Sequence, residues 1–234
     1  MEKLYFLGEF GYIFRQLLPF LEINTVDISL VTWPSVCYLI NLLWPNRYDT
    51  INIENIVKYS LEEKYRDCTH FRHVETTKFL ETEGFKHFFS IDPNYKFFYD
   101  DTHKVFNILN KKLIFGKQNK VKRYISIFPR KRSIRPKKNI EMKEHIKWIK
   151  SNYQNKEIIG HGFYKERFDL NIKFTNNISE QINVFNNSEF LISPPSGLVD
   201  FALCCGCNII LIGEYKNIEK TNPHNCIITK WKDL

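Results

Sequence analysis

Apolar and polar positions change period several times in the first fifty residues. Leu4-Tyr5-Phe6-Leu7 is a short continuous apolar run of the kind a buried strand makes, and the polar turn Gly8-Glu9-Phe10-Gly11-Tyr12 follows it directly. Phe14, Leu17, Leu18 and Leu21 then recur at helical spacing. Pro19 falls inside that pattern, so the helix is expected to be kinked or short: proline offers no N–H and crowds the preceding turn. "VDISLVTW" reads as a strand, "PSVCYLINLLW" as a helix with Pro34 in its first turn, and "YDTINI" as a strand. The order β-α-β-α-β predicts a parallel sheet with flanking helices. Residues 54–110 carry no sustained period; helix is expected near 54–66 and 102–112, with a turn at Asp92-Pro93-Asn94.

The alternation restarts in the second half. "RYISIF" (123–128) predicts a strand, "PRKRSIRPKKN" a basic loop, and "EMKEHIKWIKSNY" an amphipathic helix with Ile146 and Ile149 inward. "KEIIGHG" predicts a strand ended by Gly160 and Gly162, and "DLNIKF" a further short segment. "NISEQINVFNNS" reads as a helix; "SEFLIS", the turn "SPPSG", a helix stopped by Gly206, and "NIILI" complete a strand-helix-strand unit. The expected fold class is therefore α/β: two Rossmann-like parallel-sheet domains, 1–117 and 118–234, facing a cleft. Ligands of such sheets bind at the carboxyl ends of the strands. The polar turns "GEFGY", "PRKRSIRPKKN", "GHGFY" and "SPPSG" each follow a predicted strand, which groups them as candidate site loops.

Composition narrows the partners. The chain has 234 residues, 43% hydrophobic and 15% aromatic, enough for a sizeable core. No apolar run approaches the roughly 20 residues a membrane span needs, and "MEKLYFLGEFGY" lacks the basic and apolar regions of a signal peptide. A cytoplasmic protein without a membrane span is expected. The net charge of +8 is local: residues 111–138 hold twelve Lys or Arg and no acid, leaving 22 basic against 26 acidic residues elsewhere. Such a stretch suits a polyphosphate ligand, nucleic acid or an acidic surface. Among six cysteines, Cys204, Cys205 and Cys207 cluster as "CCGC" without zinc-ligand spacing, so buried thiols beside a helix end are expected.

The residues also give roles. Arg130, Lys131 and Arg132 supply cations for phosphate oxygens, the arginines bidentately. Ser196 and Gly197 open a helix whose first N–H groups face an anion, and Gly197 permits close approach of the backbone. Glu9, directly after the first strand and between Gly8 and Gly11, is the candidate general base, with Tyr12 lining the same cleft; Asp27 and Asp49, at strand starts, are weaker rivals. His161 and Gly162, at the end of a predicted strand, and Ser193 and Asp200, on either side of the "SPPSG" turn, are further candidate ligand contacts. Asp100-Asp101 could hold a divalent metal, but an N-cap for the helix near Thr102 accounts for the pair, and no metal is assigned.

The turn "GEFGY" after the first strand, "IFPRKR" after a later one and "NVFNNSEFLISPPSGLVDFALCCG" after a helix resemble the GT-B-fold glycosyltransferases. The likeness is nearest to the heptosyltransferase-like set and related enzymes of bacterial and large-virus glycan pathways. It implies an N-terminal acceptor-binding domain, a C-terminal nucleotide-sugar-binding domain, and no cofactor or obligatory metal. The family's last loop reads Asp-Ser-Gly; here Pro195 stands where that Asp would be and Asp200 lies one turn into the helix, which puts the choice of donor sugar in question. The expected function is an inverting, metal-independent glycosyltransferase taking a nucleotide sugar and a glycan hydroxyl, with no nucleic acid as partner. Inversion is preferred because no paired-glutamate signature of retaining enzymes follows "SPPSG". The alternative is a non-enzymatic nucleic-acid-binding module using 111–138 with Phe115, Tyr124 and Phe128. No "GxGxxG" or "GxxxxGK[ST]" occurs, which lowers an epimerase or kinase reading.

Overall fold

The computed structural model describes residues 1–7, 13–56, 74–88, 115, 119, 121–130, 140–162, 170–215, 218 and 222–234. The chain divides into two compact units, Met1–Val105 and Phe106–Leu234.

In the first unit, β1 (Glu2–Phe6), β2 (Ile28–Thr32), β3 (Asp49–Asn52) and β4 (Lys86–His87) form a parallel sheet in the order β3-β2-β1-β4. All five residues of β2 are buried, as a central strand covered on both faces must be. The Pro19 defect takes a definite form. A π-helical turn, Ile13–Leu17, passes into the short helix α1 (Leu18–Ile23), and Pro19 sits in the first turn of α1, where a missing N–H costs least. Phe14, Leu17, Leu18 and Leu21 are all fully buried, as their spacing predicts. Helix α2 (Pro34–Leu43) starts at Pro34 and buries Val36, Leu39 and Ile40. The helices α3 (Ile53–Ile56) and α4 (Val74–Thr82) follow β3 and precede β4 respectively. The helix expected over 54–66 is described only as far as Ile56, and that over 102–112 lies outside the described residues.

The second unit holds β5 (Tyr124–Ile127), β6 (Glu157–His161), β7 (Lys173–Thr175), β8 (Ser188–Ser193), β9 (Asn208–Leu211) and β10 (Ile228–Lys230). They form one parallel sheet in the order β10-β9-β8-β5-β6-β7. That is the doubly wound order, which reverses direction between β5 and β8. Helices α5 (Lys143–Asn152), α6 (Ile178–Asn186) and α7 (Gly197–Cys204) connect it. Asn177 caps α6 by accepting from the Glu180 amide.

Alternation along the strands sorts side chains to two faces. Ile125, Ile127, Ile158, Phe190, Ile192 and Ile210 join Met142, Ile146 and Ile149 in one apolar cluster. Each buried branched side chain there contributes about 1.5–3 kcal/mol. Ser126, His161 and Ser193 alternate with these and project to the opposite face. Gly160 does not end β6, as its sequence suggests. It lies within the strand because a Cβ there would stand 2.6 Å from the Phe174 ring on β7, so only glycine fits the pairing. The two- and three-residue strands β4 and β10 escaped the sequence pattern because runs that short carry no period.

Candidate ligand site at the carboxyl end of the second sheet

The point where the strand order reverses lies between β5 and β8, and the chain leaves both strands there through the two loops expected to bind phosphate. From β5 it continues through Phe128 and the buried Pro129 to Arg130. From β8 it continues through Pro194 and Pro195 to Ser196, the residue before α7. The guanidinium of Arg130 spans the two, donating from Nη1 to the Pro195 carbonyl at 3.0 Å. The basic loop is also closed at its base: Arg130 and Ile140 exchange backbone hydrogen bonds of 3.0 and 2.7 Å. Lys131 and Arg132, between those two residues, lie outside the described residues, as do Gly8, Glu9, Gly11 and Tyr12.

Ser196 occupies the N-cap position of α7 with extended backbone (φ −163°, ψ 161°), but its hydroxyl does not cap the helix. It lies 3.3 Å from the hydroxyl of Ser193, which in turn donates to the Pro194 carbonyl at 2.7 Å. Thus the side-chain oxygen that would ordinarily cover the first amides is turned back into the loop. Gly197 opens the helix with no side chain of its own. An N-terminus built this way suits an anion. Ser193 itself is fully buried and shapes the turn from behind.

His161 and Asp200 are expected at a ligand and are instead fully buried, each committed to protein partners. The His161 ring stacks on Phe185 with centroids 4.4 Å apart. Its protonation follows from a chain of hydroxyls. Ser188 Oγ donates to the Val184 carbonyl at 2.8 Å, which uses its one proton. Ser126 must therefore donate to Ser188 across 2.8 Å, and His161 Nε2 must donate to Ser126 across 2.9 Å. The proton sits on Nε2, leaving Nδ1 as a buried acceptor with no hydrogen-bond partner. Burial pushes the His161 pKa down to about 3, so the ring is neutral at physiological pH. Gly162, at φ +131°, turns the chain away beside Phe128, whose ring a Cβ would approach to 3.3 Å.

Asp200, in the first turn of α7, accepts from the Tyr215 hydroxyl at 2.7 Å. Tyr215 was not singled out in the sequence, although "GEY" follows β9 just as the other polar turns follow their strands; the same rule finds it. The segment leaves β9 beside the "SPPSG" turn, the Ile212 amide donating to the Ser193 carbonyl at 2.9 Å.

The cysteine cluster is a packing feature. Cys204, Cys205 and Cys207 are buried at the end of α7, and burial is the largest cause pushing their thiols up. Among the described residues no group of His, Cys, Asp and Glu is placed to hold a metal ion; Asp100 and Asp101 lie outside them. Asp49 accepts from the Ser29 hydroxyl at 2.7 Å, and the backbone carbonyl of Asp27, just before β2, accepts from the Glu2 amide at 2.8 Å. Phe115 is core, buried against Phe201 with centroids 5.8 Å apart. No helix among the described residues is long and apolar enough to cross a membrane.

No protein-family model matches the chain, and no curated protein matches it. Solved structures do. The glycosyl transferase family 9 protein from Veillonella parvula DSM 2008 aligns over 99% of this chain and 86% of its own, with a TM-score of 0.55 and 12% identity. The E. coli ADP-heptose LPS heptosyltransferase II aligns over 98% of this chain and 90% of its own, with a TM-score of 0.56 and 9% identity. These likenesses and the two parallel sheets define the fold class: the chain has an α/β architecture of the GT-B kind.

Proposed function

We propose that the protein is a glycosyltransferase that takes a sugar from a nucleoside-diphosphate donor to a hydroxyl of a glycan acceptor. The observation that carries this is the site at the strand-order reversal of the second sheet. There Arg130 is fastened to Pro195 beside a helix N-terminus whose N-cap hydroxyl is turned away. Both similar structures named above are called glycosyl- or heptosyltransferases, one with ADP-heptose in its name. The first 117 residues would bind the acceptor and residues 118–234 the donor.

Transfer would proceed by a single inverting displacement. The acceptor oxygen attacks the anomeric carbon, the bond from that carbon to the diphosphate oxygen breaks with its electron pair going to the leaving group, and Glu9 receives the hydroxyl proton. Charge growing on the departing diphosphate would be met by Arg130, Lys131 and Arg132 and by the amides of Ser196, the N-cap of α7, and Gly197, its first residue, so no resident metal or cofactor is required. His161, Gly162, Ser193 and Asp200 would support the donor site from behind, and Gly8, Gly11 and Tyr12 would accompany Glu9. The reaction would take place in the cytoplasm. Phe115, offered as an aromatic contact for nucleic acid, is instead committed to the core, which favours the enzyme reading.

A thermal-shift screen against nucleotide sugars tests the class, because a ligand that binds only the native state raises the melting temperature. A rise with one donor that survives added EDTA is expected. A flat response to every nucleotide and nucleotide sugar removes the proposal. Glu9→Gln is expected to abolish transfer while leaving the donor-induced shift in place.

A further inference from the structure

We infer that Asp200 and Tyr215 form a clamp that fixes one wall of the donor pocket, with Tyr215 the residue on that wall and Asp200 a positioning residue behind it. The inference rests on the glycosyltransferase reading for its ligand, a nucleoside-diphosphate sugar, but its geometry stands alone. Asp200 is a fully buried carboxylate one turn inside α7, and the Tyr215 hydroxyl donates to its Oδ2 at 2.7 Å. Tyr215 is half-buried and belongs to the segment 212–215, which runs off the carboxyl end of β9. That segment is anchored where it starts, by the Ile212 amide on the Ser193 carbonyl at 2.9 Å. It then passes Gly213, whose φ of +93° redirects the chain, and the exposed Glu214. Tyr215 returns the segment to α7. The two anchors hold it against the helix N-terminus that would receive the diphosphate.

This arrangement gives Asp200 a role different from the one its position in the sequence suggests. A hydrogen bond to a side chain with no exposure to water meets little competition from solvent. The bond therefore holds the phenol firmly, and the part of the donor next to the diphosphate meets Tyr215 rather than Asp200. Specificity for the donor sugar is then set by the 212–215 segment, and the carboxylate acts through it.

Tyr215→Phe removes the donated proton and little else. Asp200→Ala removes the acceptor, whereas Asp200→Asn keeps a neutral acceptor oxygen and should rescue. Amide hydrogen exchange of the unliganded protein reads the clamp directly. Exchange across 212–215 is expected to quicken at least ~10-fold in Tyr215→Phe and Asp200→Ala, and by less in Asp200→Asn. Isothermal titration with UDP, ADP and their sugars reads the wall. For whichever donor the wild type binds, each of the first two variants is expected to lose ~10-fold in affinity, and the double variant no more than either alone. Unchanged exchange in Tyr215→Phe overturns the clamp whatever the ligand. Quickened exchange with unchanged donor affinity, or losses that add in the double variant, overturns the wall. A wild type that binds no nucleotide or nucleotide sugar overturns the wall and the glycosyltransferase reading together, while the exchange result still decides the clamp.

Discussion

The two sheets have the same parallel construction and different interiors. In the first, the buried polar residues among those described are Ser29, Thr32 and Thr76, and Ser29 and Thr32 each bond to a neighbouring strand: Ser29 to Asp49 and Thr32 to the Phe6 carbonyl. In the second, Ser126, His161, Thr175, Gln181, Asn186, Ser188, Ser193 and Asp200 are all buried on or beside the strands and helices that lead to the site. Several are wired in series, as His161, Ser126 and Ser188 are. A buried polar group stabilises only when its partners are complete, so a polar interior is maintained at a cost that an apolar one avoids. The second unit carries that cost across β5, β6 and β8. The difference lies in connectivity: single side-chain bonds between strands in the first sheet, a chain of bonds through three strands in the second.

The largest test of this contrast is Phe185→Ala. That ring is fully buried, stacked on His161 and edge-on to Phe201 at 5.6 Å, so it joins the polar chain to the apolar core. A loss of about 3–5 kcal/mol is expected in urea unfolding. Next is pH. The folded pKa of His161, about 3, lies below the ordinary value of 6.5. The unfolded chain therefore takes up a proton below ~6.5 that the native state refuses until about pH 3. Stability from this group is complete above that range and falls by about 1.4 kcal/mol per pH unit on the way down. His145, whose pKa burial also lowers, adds in the same direction. His161→Gln, which can still donate to Ser126, should remove most of the slope; an unchanged slope would assign it elsewhere.

Ser126→Ala comes third. It strands the His161 Nε2 proton and the Ser188 oxygen in a dry interior, at an expected cost of about 1–3 kcal/mol. The smallest effect is in the first unit. Thr32→Val deletes one bond, 2.7 Å to the Phe6 carbonyl, and keeps the shape, so about 0.5–1.5 kcal/mol is expected. If Thr32→Val proved as costly as Ser126→Ala, the contrast between a wired and an unwired interior would fail.

Much of the architecture is legible in the sequence because it is written in local periods. The strands at 28–32, 49–52, 124–127 and 188–193, and the helices at 34–43, 143–152 and 178–186, coincide with the predicted runs. The burial of Ile146 and Ile149 and of the thiols in "CCGC" was readable for the same reason. Gly160 misled because a glycine near a strand end looks the same whether it stops the strand or admits Phe174 from the next one. The burial of His161 and Asp200 was not legible for a related reason. Each stands at a ligand-facing position in chain order, while its side-chain direction depends on Phe185, Ser126 and Tyr215, which come from other elements.

The sequence by itself determined the two rounds of strand-helix alternation, the place of the basic loop after β5, and the glycine-opened helix after β8. These depend on apolar period, charge and turn chemistry within a few residues. Only the tertiary structure decided that β8 pairs with β5, and hence that Arg130 meets Pro195. It alone put the histidine proton on Nε2 and gave Asp200 to Tyr215. The strand pairing, the Arg130 contact and the Asp200 contact join residues fifteen to sixty-five positions apart, where no local pattern operates and packing chooses the partner.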